Sequence, residues 1–176
     1  MNLVVNNQIH LSELRPSDKP ALVEYLNDKE IYDRTLRIPF PYTENDADAW
    51  LALVAQITQQ QGQPVQFAIR NASDDSLIGG CGFDDFQVGK FHRAEIGYWL
   101  AKPFWGRGIM TAVVRRLCQH AFDEFGLMKI MAHVFAMNPA SARVLEKCGF
   151  VQEGLLRKHF VKDGRFIDAK LFALVR

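Results

Sequence analysis

The sequence predicts an α+β domain built on a mixed sheet. Three features predict this class: short β-branched and aromatic runs separated by turn residues, a long amphipathic helix followed directly by an apolar strand, and a closing hairpin. The chain has 176 residues, with 21 basic and 20 acidic side chains and 48% hydrophobic residues. This length is closer to one domain than to two, so we expect a single domain over residues 1–176.

The near-neutral charge argues against a dedicated nucleic-acid-binding protein, because such proteins neutralise phosphates with a basic surface. The sequence has no apolar stretch long enough for a membrane span and no signal-peptide pattern, so neither membrane insertion nor export is expected. The five histidines are too far apart in sequence for a short metal motif; no metal is expected, although convergence in space is left open. Reduced, buried thiols in a cytoplasmic protein are expected of Cys81, Cys118 and Cys148.

Prolines punctuate the first half of the chain at Pro16, Pro20, Pro39, Pro41 and Pro64. They separate a strand near residues 8–14 from short helices near residues 18–34 and 45–60. Asn45 is the expected N-cap of the last of these helices, in which apolar residues recur at helical spacing. Further along, the runs VQFAIR, LIGGCGF and AEIGYWL predict antiparallel strands joined by turns.

The second half of the chain alternates between helices and strands. Apolar residues at helical spacing predict a long helix over residues 109–125, and the apolar run at residues 129–136 predicts a strand placed for a parallel crossover. A second helix is expected between Asn138, suited to the N-cap, and Gly149, suited to the stop. The chain then closes with strands near residues 150–161 and 165–175, joined by an Asp-Gly turn.

A glycine-punctuated turn precedes the long helix. Gly106 and Gly108 allow positive φ angles and close approach of a ligand, and the first helical turn offers unpaired N–H groups and the positive end of the helix dipole. Such a turn is suited to an anion, and to phosphate above all. The spacing matches neither a Walker loop nor a dinucleotide fingerprint, and a tight turn without a ligand explains the glycines equally well.

The run WGRGIMTAV, followed by a helix, a strand and NPASARVLEKCGF, resembles the GNAT superfamily of acetyl-coenzyme A dependent N-acetyltransferases. The phrases LSELRPSD, AEIGYWLAKPFWGRG and KDGRFIDAKLFAL extend the resemblance over nearly the whole chain, and it is closer to the Rim-type ribosomal-protein N-terminal acetyltransferases. The resemblance implies a twisted mixed sheet of six or seven strands, flanked by helices. It also implies a V-shaped splay between the strand ending near Leu100 and the strand near residues 129–136, where acetyl-coenzyme A enters.

The resemblance implies a set of contacts to acetyl-coenzyme A. The family's Gln/Arg-x-x-Gly-x-Gly/Ala motif falls on Trp105–Met110, with departures at Trp105 and Met110. Main-chain N–H groups make the pyrophosphate contact, so these departures are tolerable unless Met110 crowds the phosphates. Arg107 is expected either to contact a phosphate or to be solvated, and Asn138 to contact pantetheine, cap its helix or do both. The expected cofactor-binding residues are Leu100, Trp105, Gly106, Arg107, Gly108, Ile109, Met110, Thr111, Asn138 and Ser141.

Three side chains are candidate catalytic groups. Glu95 begins the strand that, by resemblance, lines the cleft, and it is the expected base that deprotonates the amine; an ordinary ion pair is the alternative. By resemblance, Ser141 is expected near the thioester sulfur as a proton donor; a simple first-turn residue is the alternative. Tyr98 is a second candidate acid, although a strand tyrosine usually belongs to the core. Gly97 suggests a bulge that turns an amide, such as that of Leu100, toward the acetyl carbonyl.

The expected reaction is direct attack of a primary amine on the thioester. Deprotonation at pH 7 costs about 1 kcal/mol for an α-amine and about 4.6 kcal/mol for a lysine, which favours a protein or peptide N-terminus as the acceptor. The alternatives are a small-molecule amine, such as a polyamine, amino acid or antibiotic, and a sensor that binds acetyl-coenzyme A without transfer. Cys118 and Cys148 are expected on inner helix faces, where a covalent acetyl intermediate is disfavoured.

Two acidic features are candidates for meeting a cationic acceptor: the pair Asp84 and Asp85, and the segment ENDAD at residues 44–48. Turn and cap duties explain both features equally well. Exposed strand edges of the predicted sheet are typical of proteins that pair as homodimers, so a homodimer is one expected assembly.

Overall fold

The structure, a computed structural model, describes residues 2–89 and 91–176. Within these residues the strands are β1 Asn2–Val4, β2 Ile9–Ser12, β3 Gln66–Asn71, β4 Leu77–Gln87, β5 Arg93–Leu100, β6 Lys129–Phe135, β7 Val151–Lys162 and β8 Arg165–Val175. The helices are α1 Lys19–Leu26, α2 Lys29–Arg34, α3 Glu44–Gln61, α4 Ile109–Asp123 and α5 Pro139–Lys147. None of the helices in the described ranges is long and apolar enough to cross a membrane.

The strands form a mixed sheet in the order β1-β2-β3-β4-β5-β6-β8-β7. Strands β5 and β6 are parallel, as the helix between them predicted, and β6, β8 and β7 pair antiparallel. The α+β class with a mixed sheet is confirmed. The expected count of six or seven strands is wrong, because the described residues contain eight. The additional strand is β1, whose three residues are too short to show an alternating pattern and bury only Leu3.

One compact unit consists of Met1–Gly82 and Tyr98–Ile109. Two glycines in this unit are required by packing, because a Cβ at Gly79 would lie 2.6 Å from the carbonyl oxygen of Trp99 and one at Gly80 would lie 2.5 Å from its indole Nε1. The two glycines of the run LIGG therefore allow the close approach of Trp99 on β5. The hydrophobic core of the unit contains Leu22, Leu26, Ile31, Tyr42, Ala47, Ala68 and Leu77.

A buried ion pair lies in the same unit. The two terminal nitrogens of Arg70 each donate to a different carboxylate oxygen of Asp18 at 2.8 Å, and Arg70 Nε donates to Ser12 Oγ at 2.6 Å. The side chains of Arg70 and Asp18 are only 2% and 5% exposed. Buried charges are tolerated where they are paired and hydrogen-bonded in this way, so Arg70 ties β3 to the segment that precedes α1.

The second compact unit consists of Phe83–Gly97 and Met110–Arg176. Burial alternates along β6, where Ile130, Ala132 and Val134 are buried and His133 faces the opposite side of the sheet. Burial also alternates at the start of β5, where Glu95 stands between buried neighbours. The pairs between β5 and β6 run from Arg93↔Lys129 to Glu95↔Met131, and β6 continues beyond the last pair.

The helix boundaries follow local capping chemistry. The expected N-cap at Asn45 is wrong: the Thr43 hydroxyl accepts the N–H of Asp46, and the Asp46 carboxylate accepts the N–H of Thr43. This reciprocal capping box starts α3 two residues before Asn45. The expected N-cap of α5 is confirmed, since Oδ1 of Asn138 accepts a first-turn N–H group. The turn between β7 and β8 is also confirmed, and both of its central residues, at positions 163–164, have positive φ.

Candidate functional site

The glycine turn lies directly before α4. Gly106 and Gly108 have φ angles of +75° and +74°, in the left-handed region that side chains disfavour. A Cβ at either position would meet nothing within 4 Å, so the main chain of the turn faces open space. The helix begins at Ile109, and its first N–H groups have no intrahelical acceptor. The turn therefore has both the conformation and the exposed donors that an anion site requires.

Two side chains of the turn are held by neighbours in the first unit. Trp105 Nε1 donates to the carbonyl oxygen of Leu100 at 2.6 Å, and the guanidinium of Arg34 lies 4.9 Å from the centre of the indole ring. Trp105 thus braces the turn against the end of β5. Arg107 is exposed, with its guanidinium carbon 5.6 Å from the ring centre of Phe104. An exposed arginine here adds positive charge beside the helix N-terminus.

Glu95 is paired with a histidine that sequence reasoning did not connect to it. Glu95 Oε1 lies 2.8 Å from Nδ1 of His133, and the two side chains are 27% and 18% exposed. Because Glu95 pairs with Met131 in the parallel ladder, His133 stands two residues further along β6 on the same face. The alternation of β6 indicated the face of His133. The register, which no local pattern reveals, brings it to Glu95.

A second histidine covers the ring of His133. The ring of His159 stacks on it with centroids 5.0 Å apart and an interplanar angle of 18°. His159 comes from an irregularity in β7, where Leu156 pairs with Ala169 but Phe160 pairs with Ile167. Three residues of β7 therefore stand opposite one residue of β8, and this bulge moves His159 out of the ladder.

The bulge has its own support. Lys158 has a φ of +50°, and its N–H donates to Oδ1 of Asp168 at 2.7 Å. The Phe160 ring packs edge-on against His159, with centroids 4.5 Å apart. Two of the five histidines thus converge in space, which the sequence had left open, and they do so next to the candidate base.

The remaining candidate residues of the second unit lie at the start of α5. Asn138 Oδ1 accepts the N–H of Ser141 at 3.2 Å, so the capping role of Asn138 is confirmed. Both side chains are partly buried. The contacts to pantetheine and to the thioester sulfur remain predictions, and they are compatible with the cap because the cap uses only the carbonyl oxygen of the Asn138 amide. Tyr98 is partly buried on β5.

The acidic segment at the start of α3 has local partners. The Asp46 carboxylate belongs to the capping box, and its hydrogen bonds to Thr43 lower the pKa of that carboxyl. Glu44 and Asp48 lie 3.3 and 2.8 Å from the ammonium of Lys19. Capping and ion pairing therefore explain this segment without a cationic ligand.

The two residues of the second acidic feature, Asp84 and Asp85, have different surroundings. Asp85 lies 3.9 Å from the guanidinium of Arg93 and accepts a hydrogen bond from the side chain of Gln87. Asp84 Oδ2 lies 3.6 Å from the position of a Cβ at Gly97, which is on the same face of β5 as Glu95. Of these two residues, Asp84 is therefore the one near the face of β5 that carries the candidate base.

The comparisons with known proteins decide the family. A family model described as an acetyltransferase (GNAT) domain matches residues 8–151. The chain belongs to the GNAT family of N-acetyltransferases. The family resemblance of the sequence is therefore confirmed, as is the GNAT fold expected from it. No group of three or more His, Cys, Asp or Glu side chains within residues 2–89 and 91–176 is arranged to hold a metal ion.

The relatives of this GNAT chain act on different amines. The uncharacterized N-acetyltransferase p20 of Bacillus licheniformis is 30% identical over 178 residues, 100% of this chain and 97% of that protein. The ribosomal protein uS5-alanine N-acetyltransferase of Escherichia coli is 26% identical over 127 residues, 71% of this chain and 66% of its own length. The spermidine N(1)-acetyltransferase of Vibrio cholerae is 34% identical over 85 residues, 48% of this chain and 49% of its own length.

Solved structures show the same GNAT fold. A crystal structure described as a probable acetyltransferase has a TM-score of 0.89 and 26% identity, covering 100% of this chain and 97% of its own. The spermidine N-acetyltransferase of Vibrio cholerae in complex with coenzyme A and spermine has a TM-score of 0.81 and 24% identity, covering 97% of this chain and 96% of its own. Relatives in this family thus bind coenzyme A.

The residues of this GNAT chain fit the pyrophosphate of coenzyme A. Gly106 and Gly108 have positive φ and open space at their Cβ positions, and the first N–H groups of α4 have no intrahelical acceptor. Met110, the departure that raised the question of crowding, is only 8% exposed, so its side chain is directed into the protein.

The cysteines of the second unit are poor nucleophiles. Burial raises the pKa of the Cys118 thiol, which is 2% exposed, and burial also raises the pKa of Cys148. Cys148 Sγ donates to the carbonyl oxygen of Thr111 at 3.4 Å, which uses its proton in a hydrogen bond. Because the thiolate is the reactive form, these residues are unsuited to carry an acetyl group, as expected.

Proposed function

We propose that this chain transfers the acetyl group of acetyl-coenzyme A to the N-terminal α-amine of a protein or peptide by direct attack. The observation that carries the proposal is the partly buried carboxylate of Glu95, fixed 2.8 Å from His133 on one face of the sheet. A carboxylate held in this way is suited to accept the proton of an ammonium group. The protonated thiols of the second unit support direct transfer over a covalent intermediate.

The cofactor roles follow from the family and the local geometry. In the proposal, the main-chain N–H groups of residues 106–111 hold the pyrophosphate, with Arg107 adding positive charge. Trp105 contributes by bracing the turn through Leu100. The amide of Asn138 contacts the pantetheine arm while its oxygen caps α5.

The proposed reaction balances in protons. Glu95 takes one proton from the ammonium form of the acceptor, and the neutral nitrogen attacks the thioester carbon. The C–S bond breaks, and the departing thiolate takes a proton from Ser141, with Tyr98 as the second candidate donor. An N–H group such as that of Leu100 stabilises the oxyanion. The attacking nitrogen then loses its second proton, which restores the proton of the donor side chain, and Glu95 releases the first proton to solvent, so each turnover releases one proton together with free coenzyme A.

The acceptor assignment is supported by two observations. The relative named as a ribosomal-protein alanine N-acetyltransferase matches 71% of this chain, whereas the spermidine acetyltransferase matches 48%. A polyamine carries several positive charges, and the carboxylates of Glu44 and Asp48 are already paired with Lys19. An α-amine carries one charge, for which the single carboxylate of Glu95 is sufficient.

A small-molecule polyamine is the alternative acceptor, because the matched segment of the spermidine acetyltransferase is 34% identical. The test measures release of free thiol from acetyl-coenzyme A with a lysine-free peptide that has a free α-amine. The same peptide with a blocked N-terminus is the control, and spermidine is the competitor. The proposal expects release with the free peptide and none with the blocked one. Release with spermidine alone would replace the peptide with a polyamine, and binding of acetyl-coenzyme A without any transfer would indicate a sensor.

A further inference from the structure

The contact between Glu95 and His133 has a direction. When the Glu95 carboxylate is ionised it only accepts hydrogen bonds, so the contact at 2.8 Å then requires the proton on Nδ1 of His133. This bond occupies Oε1 of Glu95 and fixes the orientation of its carboxylate. In the proposed function, the proton of the acceptor ammonium goes to the other oxygen, Oε2.

We propose that His133 is a positioning residue for the acetyl transfer, which holds the Glu95 carboxylate in one orientation, and that His159 locks His133 in place. The proposal rests on the proposed function, in which Glu95 is the base. A general base must lie within hydrogen-bond reach of the proton that it takes, so a bond that fixes the orientation of the carboxylate also fixes that geometry. His133 therefore acts through Glu95 without touching the substrate.

Several contacts keep the His133 ring from turning away. The His133 main chain is held in the ladder opposite Leu171 of β8. Its ring lies against the ring of His159 at 5.0 Å and against the edge of Phe160 at 6.0 Å, with an interplanar angle of 83° to the latter. A ring packed against two others that also contact each other has fewer rotamers available, which keeps Nδ1 directed at Glu95.

The β7 bulge supplies this packing. An uninterrupted ladder between β7 and β8 would keep His159 in line with its strand, whereas the three-residue bulge moves it over β6. The Asp168 carboxylate holds the bulge by accepting the N–H of Lys158 at 2.7 Å. A strained main-chain conformation that places one imidazole on another, beside the candidate base, is the kind of local distortion that functional sites retain.

The first unit offers a comparable pair outside the site. His10 Nε2 lies 2.9 Å from Oδ1 of Asp75, which also accepts a hydrogen bond from Arg15. The Asp75 side chain is 48% exposed, and no aromatic ring stacks on His10 among the described contacts. His10 is therefore a control: a histidine–carboxylate contact of similar length, made through Nε2, in a pair with no proposed role in the transfer.

The kinetic test compares His133→Leu, His133→Asn and His10→Leu. His133→Leu removes the donor and is expected to lower kcat about 10- to 100-fold, with the KM for acetyl-coenzyme A unchanged. His133→Asn places an amide N–H near the position of Nδ1 and is expected to recover most of the loss. His10→Leu should leave kcat unchanged. Equal kcat in His133→Leu and wild type overturns the proposal, as does an equal loss in the leucine and asparagine variants.

A second measurement is independent of turnover. Long-range proton–nitrogen NMR spectra of the histidine rings report which ring nitrogen carries the proton. In the wild type we expect the proton of neutral His133 on Nδ1, and in Glu95→Gln a changed pattern for His133 with that of His10 unchanged. A proton on Nε2 alone in the wild type overturns the inference. If the wild type shows the expected pattern but acetylates no peptide, the proposed function fails while the hydrogen bond stands.

Discussion

Arg70 and Asp18 form a bidentate ion pair in which each terminal guanidinium nitrogen lies 2.8 Å from its own carboxylate oxygen. The pair is almost fully buried and lies within the first unit. Removal of either charge leaves the other without its counter-ion in a site that is almost fully buried. The first prediction concerns the consequence of that loss for folding.

Asp18→Asn is expected to lower the free energy of unfolding by about 3–5 kcal/mol, because the Arg70 charge remains buried without its counter-ion. Urea unfolding followed by circular dichroism measures the change. Asp33→Asn is the control, since Asp33 forms an exposed pair with Lys29, and it should change the stability by less than about 1 kcal/mol. Equal effects of the two substitutions would contradict the structural role of Arg70.

Gly108→Ala is expected to weaken coenzyme A binding while leaving the protein folded. The new methyl group meets no atom within 4 Å, but it strains a φ of +74° by about 1–2 kcal/mol and stands on the open face of the turn. Gly62→Ala is a matched control, because Gly62 has a φ of +68° and open space at the end of α3. Titration calorimetry should show a reduced affinity for coenzyme A in Gly108→Ala and not in Gly62→Ala. Equal affinities in the two variants would contradict the assignment of the pyrophosphate to this turn.

Glu95→Gln is expected to lower kcat by about 10²–10⁴-fold, since an amide cannot accept the ammonium proton. The affinity for acetyl-coenzyme A should be retained, because the proposed cofactor contacts lie elsewhere in the chain. Glu153→Gln is the control: Glu153 is paired with Lys129 at 2.7 Å and has no proposed role in the transfer. Steady-state kinetics together with a binding measurement distinguishes this outcome from a general loss of folding.

Thiol chemistry provides a pH-dependent prediction. Burial raises the pKa values of Cys118 and Cys148, so at any pH below these values each residue has less thiolate than an exposed cysteine. Alkylation by iodoacetamide at pH 8 should therefore be slow in the folded protein and fast after denaturation, with mass spectrometry locating the modified residue. Rapid modification of Cys148 in the native state would show that this thiol is more accessible than the structure indicates.

The features predicted correctly from the sequence depend on short-range chemistry. The glycines of the turn before α4 signal positive φ, and Asn138 followed by proline signals a helix start, because each depends on a few neighbouring residues. The prediction of Asn45 as an N-cap was wrong although it also depended on neighbouring residues. Thr43 and Asn45 both suit the N-cap position, and the reciprocal hydrogen bonds between Thr43 and Asp46 select Thr43.

The contact between Glu95 and His133 could not be predicted from neighbouring residues in the sequence. The two residues are 38 positions apart, and their contact depends on the register of two parallel strands joined through α4. His159 is a further step removed, since its position depends on a bulge that no turn residue announces. Candidate chemistry was therefore predictable residue by residue, whereas the partners of each residue required the sheet.

The indole of Trp99 lies where a side chain at position 80 would stand, so the residues at these two positions depend on each other. A methyl group at Gly80 would lie 2.5 Å from the indole nitrogen, so an alanine there requires the indole to give way. A smaller ring at position 99 would make that room, and the two changes together should be tolerated where the glycine change alone is not. Substitutions at positions 80 and 99, on two neighbouring strands, are therefore expected to occur together in related sequences.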